Sequence, residues 1–481
     1  MNIMVDVKRV REAIITAIPY GTSSDANATK PGGLYLPRAH VKALRLESSL
    51  VIGARGVGKT FWTGALANPS LRGLLGDAVH DLECAHVHVG FAAQMNTPAY
   101  PDMDTISNLM KQGCSPYAIW RAVILRWLAN AGQNDIPMGS WLQTVEWVEQ
   151  NPELLVKTIS NASASFAARH EKGLIVFDAL DRTSNDWRTM DTIVRELLRV
   201  VLWLQSFPSL FAKVFLREDQ FGRTVTDFPD ASKILATRAE LTWQPHDQHG
   251  LLWQLLCNAE EPHGALLRGI YRDIVGQLPK NTEYVWMMAD AVKQSGGSQK
   301  KLFDILAGPW MGKDRRRGVP YVWSVSHLAD GRGQTSPRSF LAAIRAAAED
   351  SLDRYGAHPY ALHYESIKRG VQKASEIRID EIQEDYPWVG LLSSPLEGLN
   401  VPADYSQIEE RWKLRFSDGL NTLRGDRLPP LHLESGWAGT VEDLVRLGIF
   451  EVMKDGRINM PDLYRVGFGL GRKGGVKPAK R

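Results

Sequence analysis

Apolar residues between positions 46 and 257 fall into short runs separated by loops and helical patterns, an alternation typical of a parallel α/β sheet. We expect strands at Ser49–Ile52, His86–Phe91, Leu174–Phe177, Lys213–Leu216 and Glu240–Trp243. The third run is apolar throughout, as expected for a central strand that is covered on both faces. The pattern therefore predicts an α/β fold with a three-layer core.

The rest of the chain is predicted to be mainly helical. Residues 1–45 carry one amphipathic helical pattern and a Gly/Ser/Pro-rich link, and the core is assigned to 46–257. A partly helical insertion at about 95–170 separates the second and third strands. Residues 258–357 are predicted to form a helical lid, and residues 358–481 a helical linker and a small C-terminal unit.

The C-terminal unit has the pattern of a winged helix. Thr440 is expected to cap a short helix that ends at Gly448. Lys454-Asp455-Gly456 then lies between two apolar-rich runs, which is a strong signal for a hairpin. Such a unit either contacts DNA or binds another protein.

Composition narrows the class of protein. No run of about 18 apolar residues occurs and the N-terminal sequence lacks the order of a secretory signal, so no membrane contact and a cytoplasmic location are expected. Three widely spaced cysteines argue against a disulfide framework. The net charge is only +3, but the last ten residues hold five Lys or Arg and no acid. That tail either follows phosphates or is simply a solvated end.

The strongest motif follows the first predicted strand. The eight residues fit G-x-x-x-x-G-K-[ST] without a mismatch, and with the next residue they are the predicted nucleotide-binding set: Gly53, Ala54, Arg55, Gly56, Val57, Gly58, Lys59, Thr60 and Phe61. Glycines let backbone N–H groups turn toward phosphate oxygens, Lys59 reaches the β- and γ-phosphates, and Thr60 is a Mg²⁺ ligand. No Asn-Lys-x-Asp element follows, which favours ATP over GTP.

A second acidic site follows the third strand. Asp178 ends the apolar run Leu174–Phe177 and is predicted to hold Mg²⁺ beside the loop. Asp181 is placed to polarise the attacking water as a catalytic base. Alternatively, Asp181 caps the helix that begins near Asp186 or pairs with Arg182.

The loop and the sequence LIVFDALDR together resemble the additional-strand division of P-loop NTPases, which includes AAA+, STAND and KAP ATPases. The resemblance implies a sensor 1 residue at Arg217, after the next strand, and a sensor 2 arginine at Arg338, within a helix that opens with Ser336-Pro337-Arg338-Ser339-Phe340. It also implies an arginine finger, for which Arg223 and Arg238 are candidates. Most AAA+ proteins carry adjacent Asp-Glu, whereas in STAND and KAP proteins the second acid lies a few residues after the first, as Asp181 follows Asp178 here.

The run from Met460 to Val476 resembles the end of bacterial ATPases that are often found in genome-conflict and phage-defence loci. The resemblance implies a Mg²⁺-dependent ATP-hydrolysing switch that self-associates and acts with a separately encoded nuclease or other effector. Two alternatives stay open: an ATP-dependent DNA-binding initiator or loader, and a scaffold that binds ATP without hydrolysing it. The cluster of Trp310, Lys313 and Arg315–Arg317 either grips nucleic acid or a partner, or is an exposed loop charged for solubility.

Overall fold

The computed structural model describes residues 6–19, 30–129, 136–221, 224–283, 285–424, 428–473 and 476–478. These form two compact units, one spanning Arg38–Thr242 and the other combining the N-terminal residues, Lys30–Pro37 and Trp243–Arg481. The division into four parts drawn from the sequence stays a prediction. The first helix, α1 (Val7–Ala17), is the predicted amphipathic one and belongs to the second of these units.

The unit Arg38–Thr242 is built on a parallel sheet of five strands in the order β2-β3-β4-β1-β5. The strands are β1 (Leu50–Gly53), β2 (Ala85–Phe91), β3 (Lys172–Phe177), β4 (Leu210–Arg217) and β5 (Ala239–Glu240). All five predicted strands exist, and β4 lies between β1 and β3. Because Leu174–Phe177 is buried at every position, both faces of the sheet are covered and the core has three layers.

The bounds of all five strands differ from the prediction by at least one residue, and the largest differences are in β4 and β5. β4 begins at Leu210, three residues before the predicted Lys213, because Leu210 pairs with Gly173 of β3. β5 ends at Glu240, whereas Glu240–Trp243 was expected, since β1 pairs with it only at Val51 and Ile52. The pattern of apolar residues locates a strand better than it locates its ends.

Helices connect and cover the strands of this unit: α2 (Val41–Leu44), α3 (Lys59–Ala67), α4 (Pro69–Leu75), α5 (Met103–Lys111), α6 (Pro116–Leu128), α7 (Trp141–Gln150), α8 (Pro152–Ala168), α9 (Trp187–Leu204) and α10 (Ala231–Ala236). Four of them, α5 to α8, fill the predicted insertion between β2 and β3. Trp120 of α6 stands edge-on to Phe91 and Phe177, at the ends of those strands. The insertion therefore supports the strand end that carries Asp178.

The other unit is mainly helical. After α1 it contains α11 (Pro245–Cys257), α12 (His263–Val275), β6 (Lys280–Asn281), β7 (Trp286–Met287), α13 (Asp290–Lys293), α14 (Gly296–Ala307), α15 (Pro320–Ser326), α16 (Pro337–Arg354), α17 (Tyr364–Asp385), α18 (Pro387–Ser393), α19 (Tyr405–Arg415), α20 (Gly436–Arg446), β8 (Glu451–Val452), β9 (Ile458–Asn459) and α21 (Asp462–Arg465). Ser336 caps α16 by accepting from the Ser339 amide at 3.2 Å, so the predicted helix start is confirmed.

Helix α20 and the antiparallel hairpin of β8 and β9 form the winged-helix-like end of the chain. The hairpin turns at Gly456, whose φ of 84° favours glycine, as predicted. Gly448 ends the helical region with φ 71°, also as predicted. Thr440 as helix cap was wrong: α20 begins at Gly436, and the buried Thr440 hydroxyl donates to the Gly436 carbonyl at 3.1 Å. Close packing explains this longer helix, because Gly439 fits against the His432 carbonyl where a Cβ would lie at 2.1 Å.

Two further observations concern the cysteines and the helices. Cys84, Cys114 and Cys257 are all free thiols. Among the helices in the described ranges, none is both long enough and apolar enough to cross a bilayer.

Candidate functional site

The loop between β1 and α3 has a backbone shape that depends on its glycines. Gly56 and Gly58 have φ of 83° and 105°, the left-handed region where side chains with a Cβ are strained. Gly53 is required for a different reason. A Cβ on Gly53 would meet Val57 Cγ2 at 2.7 Å and Leu241 Cβ at 3.2 Å. The motif residues thus produce a tight loop that leads directly into the first turn of α3.

Lys59 opens helix α3 and turns back across this loop. Its Nζ donates to the carbonyl oxygens of Gly53 and Ala54, each at 2.9 Å. The ammonium is therefore held at the N-terminal end of α3, where a helix favours anions. A phosphate bound by the loop would share this ammonium.

The other predicted loop residues differ in their exposure to solvent. Val57 is buried, whereas Ala54, Arg55, Thr60 and Phe61 keep partial exposure. Phe61 stands edge-on to Trp62 with ring centroids 5.2 Å apart. Seven of the nine predicted nucleotide-binding residues therefore keep partial exposure, whereas Gly53 and Val57 are buried.

A series of buried hydrogen bonds holds helix α3 in place. Trp62 Nε1 donates to His40 Nδ1 at 3.1 Å, so His40 Nε2 carries the proton and donates to the Thr242 carbonyl, also at 3.1 Å. Burial lowers the pKa of His40 to about 3, and the ring stays neutral. These hydrogen bonds connect α3, the helix that follows the loop, to the residues after β5.

Asp178 lies beside the loop, as predicted for the end of β3. Only 2% of its surface is exposed, and Lys59 and Thr60 of the loop are close enough to influence its carboxylate. Burial raises the pKa of Asp178, while Lys59 and the Thr60 hydroxyl oppose that rise. The next residue, Ala179, has φ 54°, a left-handed conformation that is uncommon for alanine. The chain therefore turns sharply as soon as it has delivered the carboxylate.

Asp181 lies on the 3₁₀ turn Leu180–Arg182 that follows this bend. Its Oδ2 accepts from Arg217 Nη1 at 3.3 Å. The cap of α9 is Asp186, which accepts from the Thr189 amide at 2.7 Å. The alternative that Asp181 caps this helix is therefore wrong.

Arg217 is the last residue of β4 and pairs in register with Gly53 at the end of β1. Asp219 holds the guanidinium in a bidentate pair, with Nε to Oδ1 at 3.0 Å and Nη2 to Oδ2 at 2.9 Å. The remaining terminal nitrogen donates to Asp181. Because a bidentate pair fixes the plane of a guanidinium, Asp219 sets where Arg217 points.

These charges act on one another. Burial first, and then the neighbouring Arg217, lower the pKa of Lys59 to about 8. The carboxylates of Asp178, Asp181 and Asp219 act in the opposite direction. Two cations and three carboxylates therefore lie in one electrostatic cluster at the carboxyl edge of the sheet, next to the loop.

The donor set at this edge fits Mg²⁺. A buried carboxylate (Asp178) and a hydroxyl that lies close enough to lower its pKa (Thr60) are both hard oxygen donors. Over the described residues, no three Asp, Glu, His or Cys side chains gather into a complete metal cage. Mg²⁺ commonly takes one or two protein oxygens and fills its other positions with water and phosphate oxygens, so a sparse set suffices.

Two of the predicted arginines, Arg338 and Arg238, have other surroundings. Arg338 belongs to α16 in the unit containing Trp243–Arg481, and its Nη1 donates to Glu381 Oε1 at 2.5 Å. Arg238 is about half exposed and lies 3.9 Å from Glu240. Arg223 lies outside the described residues. The roles of all three stay predictions.

Sequence reasoning missed Asp219 and the backbone strain at Ala179. Asp219 follows Arg217 by two residues in Arg217-Glu218-Asp219, a spacing that allows a pair across a turn. Ala179 gives no signal in its residue type, since alanine has no preference for the left-handed region.

The fold and this edge together define a P-loop α/β protein with an additional strand, β4, between the loop-bearing strand and the acidic strand. No family model matches the chain, and no curated protein matches it. The ORC2 protein of Aeropyrum pernix, solved as ADPNP–ADP complexes, is similar in structure with a TM-score of 0.42 and 10% identity, over 92% of this chain and 93% of that one.

Proposed function

We propose that this chain binds ATP with Mg²⁺ and hydrolyses it, and that the cycle switches its conformation. The observation that carries the proposal is the proximity of two distant segments. The phosphate-loop residues Lys59 and Thr60 lie close enough to the buried Asp178 to oppose the rise in its pKa that burial causes. Arg217, which pairs in register with Gly53, donates to Asp181 at 3.3 Å. A glycine-rich turn that matches the motif by chance would not be expected to lie beside a buried carboxylate at the end of another strand.

The loop supplies the binding surface for the phosphates. Amide groups from Gly56 through Thr60 surround the terminal phosphates, and the N-terminal end of α3 favours their negative charge. Lys59 exchanges loop carbonyls for phosphate oxygens as its acceptors. Thr60 and Asp178 would hold Mg²⁺, which when bound neutralises charge on the phosphate oxygens.

Hydrolysis requires a group that orients water. Asp181 is the partly exposed acid of the cluster, and we assign it the role of base. Arg217 restrains Asp181 on one side and carries positive charge toward the loop. Asp219 holds Arg217 in that position.

The conformational part of the proposal concerns the lid. Arg338 is assigned to sense the γ-phosphate, exchanging its partner Glu381 for the nucleotide when the lid closes. Self-association, and a role in bacterial defence with a separately encoded effector, are proposed from the family resemblance alone.

The second candidate function is an ATP-dependent DNA-binding initiator. The observation that favours it is the hairpin of β8 and β9, whose tip exposes Lys454 and Arg457. An affinity for duplex DNA that strengthens with ATP supports this function. ATP turnover that ignores DNA but changes with a protein partner supports the switch.

The test uses the purified chain with ATP and Mg²⁺. Calorimetry measures binding, phosphate release measures turnover, and circular dichroism checks the fold. We expect the wild type to bind and hydrolyse ATP, and Lys59→Ala to lose binding while staying folded. A wild type that binds no ATP refutes the proposal. If wild type and Asp181→Asn bind ATP but share the same negligible turnover, the chain is an ATP-sensing scaffold.

A further inference from the structure

A short loop between α14 and α15 concentrates positive charge at the surface. This basic loop, residues 311–318, exposes Lys313, Arg315, Arg316 and Arg317 and contains one acid, Asp314. None of the five belongs to the nucleotide site proposed above. The loop therefore needs a separate explanation.

The backbone of the basic loop is closed by its own hydrogen bonds. The Met311 amide donates to the Gly318 carbonyl at 2.9 Å, and the Gly318 amide donates to the Arg315 carbonyl at 3.2 Å. Met311 is buried and anchors the loop. Gly318 closes it with φ 99°, where a side chain would be strained. The charges are thus presented on an ordered 3₁₀ turn, Arg315–Arg317.

The single acid does not neutralise these cations. Asp314 Oδ1 accepts from the Arg316 backbone amide at 2.9 Å and caps the turn. Across the described ranges, none of the four basic side chains forms an ion pair within 4.0 Å. Four exposed cations elsewhere in the same unit do have acidic partners: Lys8 with Glu12, Arg354 with Asp350, Lys373 with Glu376 and Lys413 with Glu409. Other exposed cations of the unit, such as Lys301 and Lys454, are single and are not clustered as in the basic loop.

Four unpaired cations within five residues repel one another, so an anionic partner of high charge density fits them. A nucleic acid has that density, with about one charge per 1.7 Å of duplex, and arginine binds phosphate through two nitrogens. An anionic membrane fits less well because membrane-bound helices add a broad apolar face. Near the loop, Val322 is the one strongly exposed large apolar side chain in the described residues.

We propose that the basic loop binds the phosphate backbone of a nucleic acid without reading its sequence. Trp310, which precedes the loop and is partly exposed, offers a ring for a base or sugar at its edge. This surface is separate from the hairpin of β8 and β9, and it is independent of ATP hydrolysis.

The test compares the wild type with the variant K313Q/R315Q/R316Q/R317Q. Fluorescence anisotropy follows binding to a labelled duplex and to a labelled single strand of mixed sequence, at salt concentrations from about 50 to about 200 mM. We expect the slope of log affinity against log salt to become shallower by about 2 to 4 in the variant. At about 100 mM salt the affinity should fall by about a hundredfold.

A matched control is K8Q/R354Q/K373Q/K413Q, which removes the same charge from ion-paired positions and should keep affinity within a few-fold. ATP binding is measured for all three proteins, so failure of the nucleotide site is seen separately from failure of the loop. The proposal is overturned if the wild type binds neither nucleic acid, or if both variants lose the same affinity. It is also overturned if anionic vesicles, but not nucleic acids, bind through the loop.

Discussion

Arg217 Nη1 lies 3.3 Å from Asp181 Oδ2, which connects the end of β4 to the turn after β3. The two residues are far apart in sequence, and the strand order brings them together, because β4 is inserted between β1 and β3. A carboxylate that accepts from a guanidinium is held in one position. A group that orients water requires such a fixed position.

Asp181→Asn should therefore slow ATP turnover by about 10²- to 10⁴-fold, because the amide is not basic. The ATP dissociation constant should change by only a few-fold, since Asp181 lies outside the loop. Phosphate-release kinetics and calorimetry on the same preparation measure the two effects. An Asp181→Asn protein with wild-type turnover would remove this residue from the reaction.

Asp219 is expected to act through Arg217 and not on ATP itself. Asp219→Asn weakens the bidentate pair and should lower turnover by about tenfold or more, with little effect on affinity. A double-mutant cycle with Arg217→Ala identifies the route, because Asp219→Asn should then have no further effect on turnover. If the two losses simply multiply, Asp219 contributes independently and the positioning role is wrong.

Three of the five strands, β1, β3 and β4, were predictable because they are largely apolar runs that end at loops or polar residues. Such runs identify buried strands without any knowledge of their neighbours. The start of α16 was predictable for a local reason too, since Ser336 and Pro337 are a helix cap and a first-turn proline. Signals of this kind depend only on residues that are adjacent in the sequence.

Features that depend on packing were not predictable. Nothing local to Trp120 indicates that it meets Phe91 and Phe177 across the insertion. The start of α20 at Gly436 depends in the same way on the contact of Gly439 with His432. Sequence patterns predict an element, whereas contacts between elements set its ends and its role in the site.

Gly53→Ala tests whether the loop shape matters for binding. The new methyl group would overlap Val57 and displace the loop, so ATP affinity should fall by about tenfold or more. Gly73→Ala is the matched control, because a Cβ on Gly73 meets nothing within 4 Å and the residue lies inside α4. The control should keep its affinity and gain up to about 1 kcal/mol of stability. Equal, wild-type ATP affinity in both variants would contradict a phosphate-binding loop at Gly53.

Arg338→Ala tests the lid arginine. Its partner Glu381 keeps Arg378 at 3.4 Å, so no buried carboxylate is left without a cation and the helices should stay folded. Turnover should fall by about tenfold or more, and ATP affinity should fall less. Arg354→Ala on the same helix removes an exposed arginine and serves as control. Unchanged turnover in Arg338→Ala would show that this arginine does not act on the nucleotide.

His40 makes the stability of the loop-bearing unit sensitive to acid. Its folded pKa of about 3 lies below the ordinary value of 6.5, so the unfolded chain binds a proton that the folded chain does not. Stability from this group is complete above about pH 6.5 and is lost as the pH falls toward 3. Between about pH 7.5 and about pH 5.5 the loss should be about 1.4 kcal/mol. Urea unfolding at both pH values measures this loss of stability. The His40→Gln side chain does not titrate, so the pH-dependent loss in that variant should be smaller by the same amount. The variant itself is expected to be less stable than the wild type at every pH. If His40→Gln keeps the wild-type pH dependence, the folded His40 ring must take up its second proton at the same pH as in the unfolded chain. Its Nδ1 would then be protonated below that pH, and Trp62 Nε1 would need another acceptor.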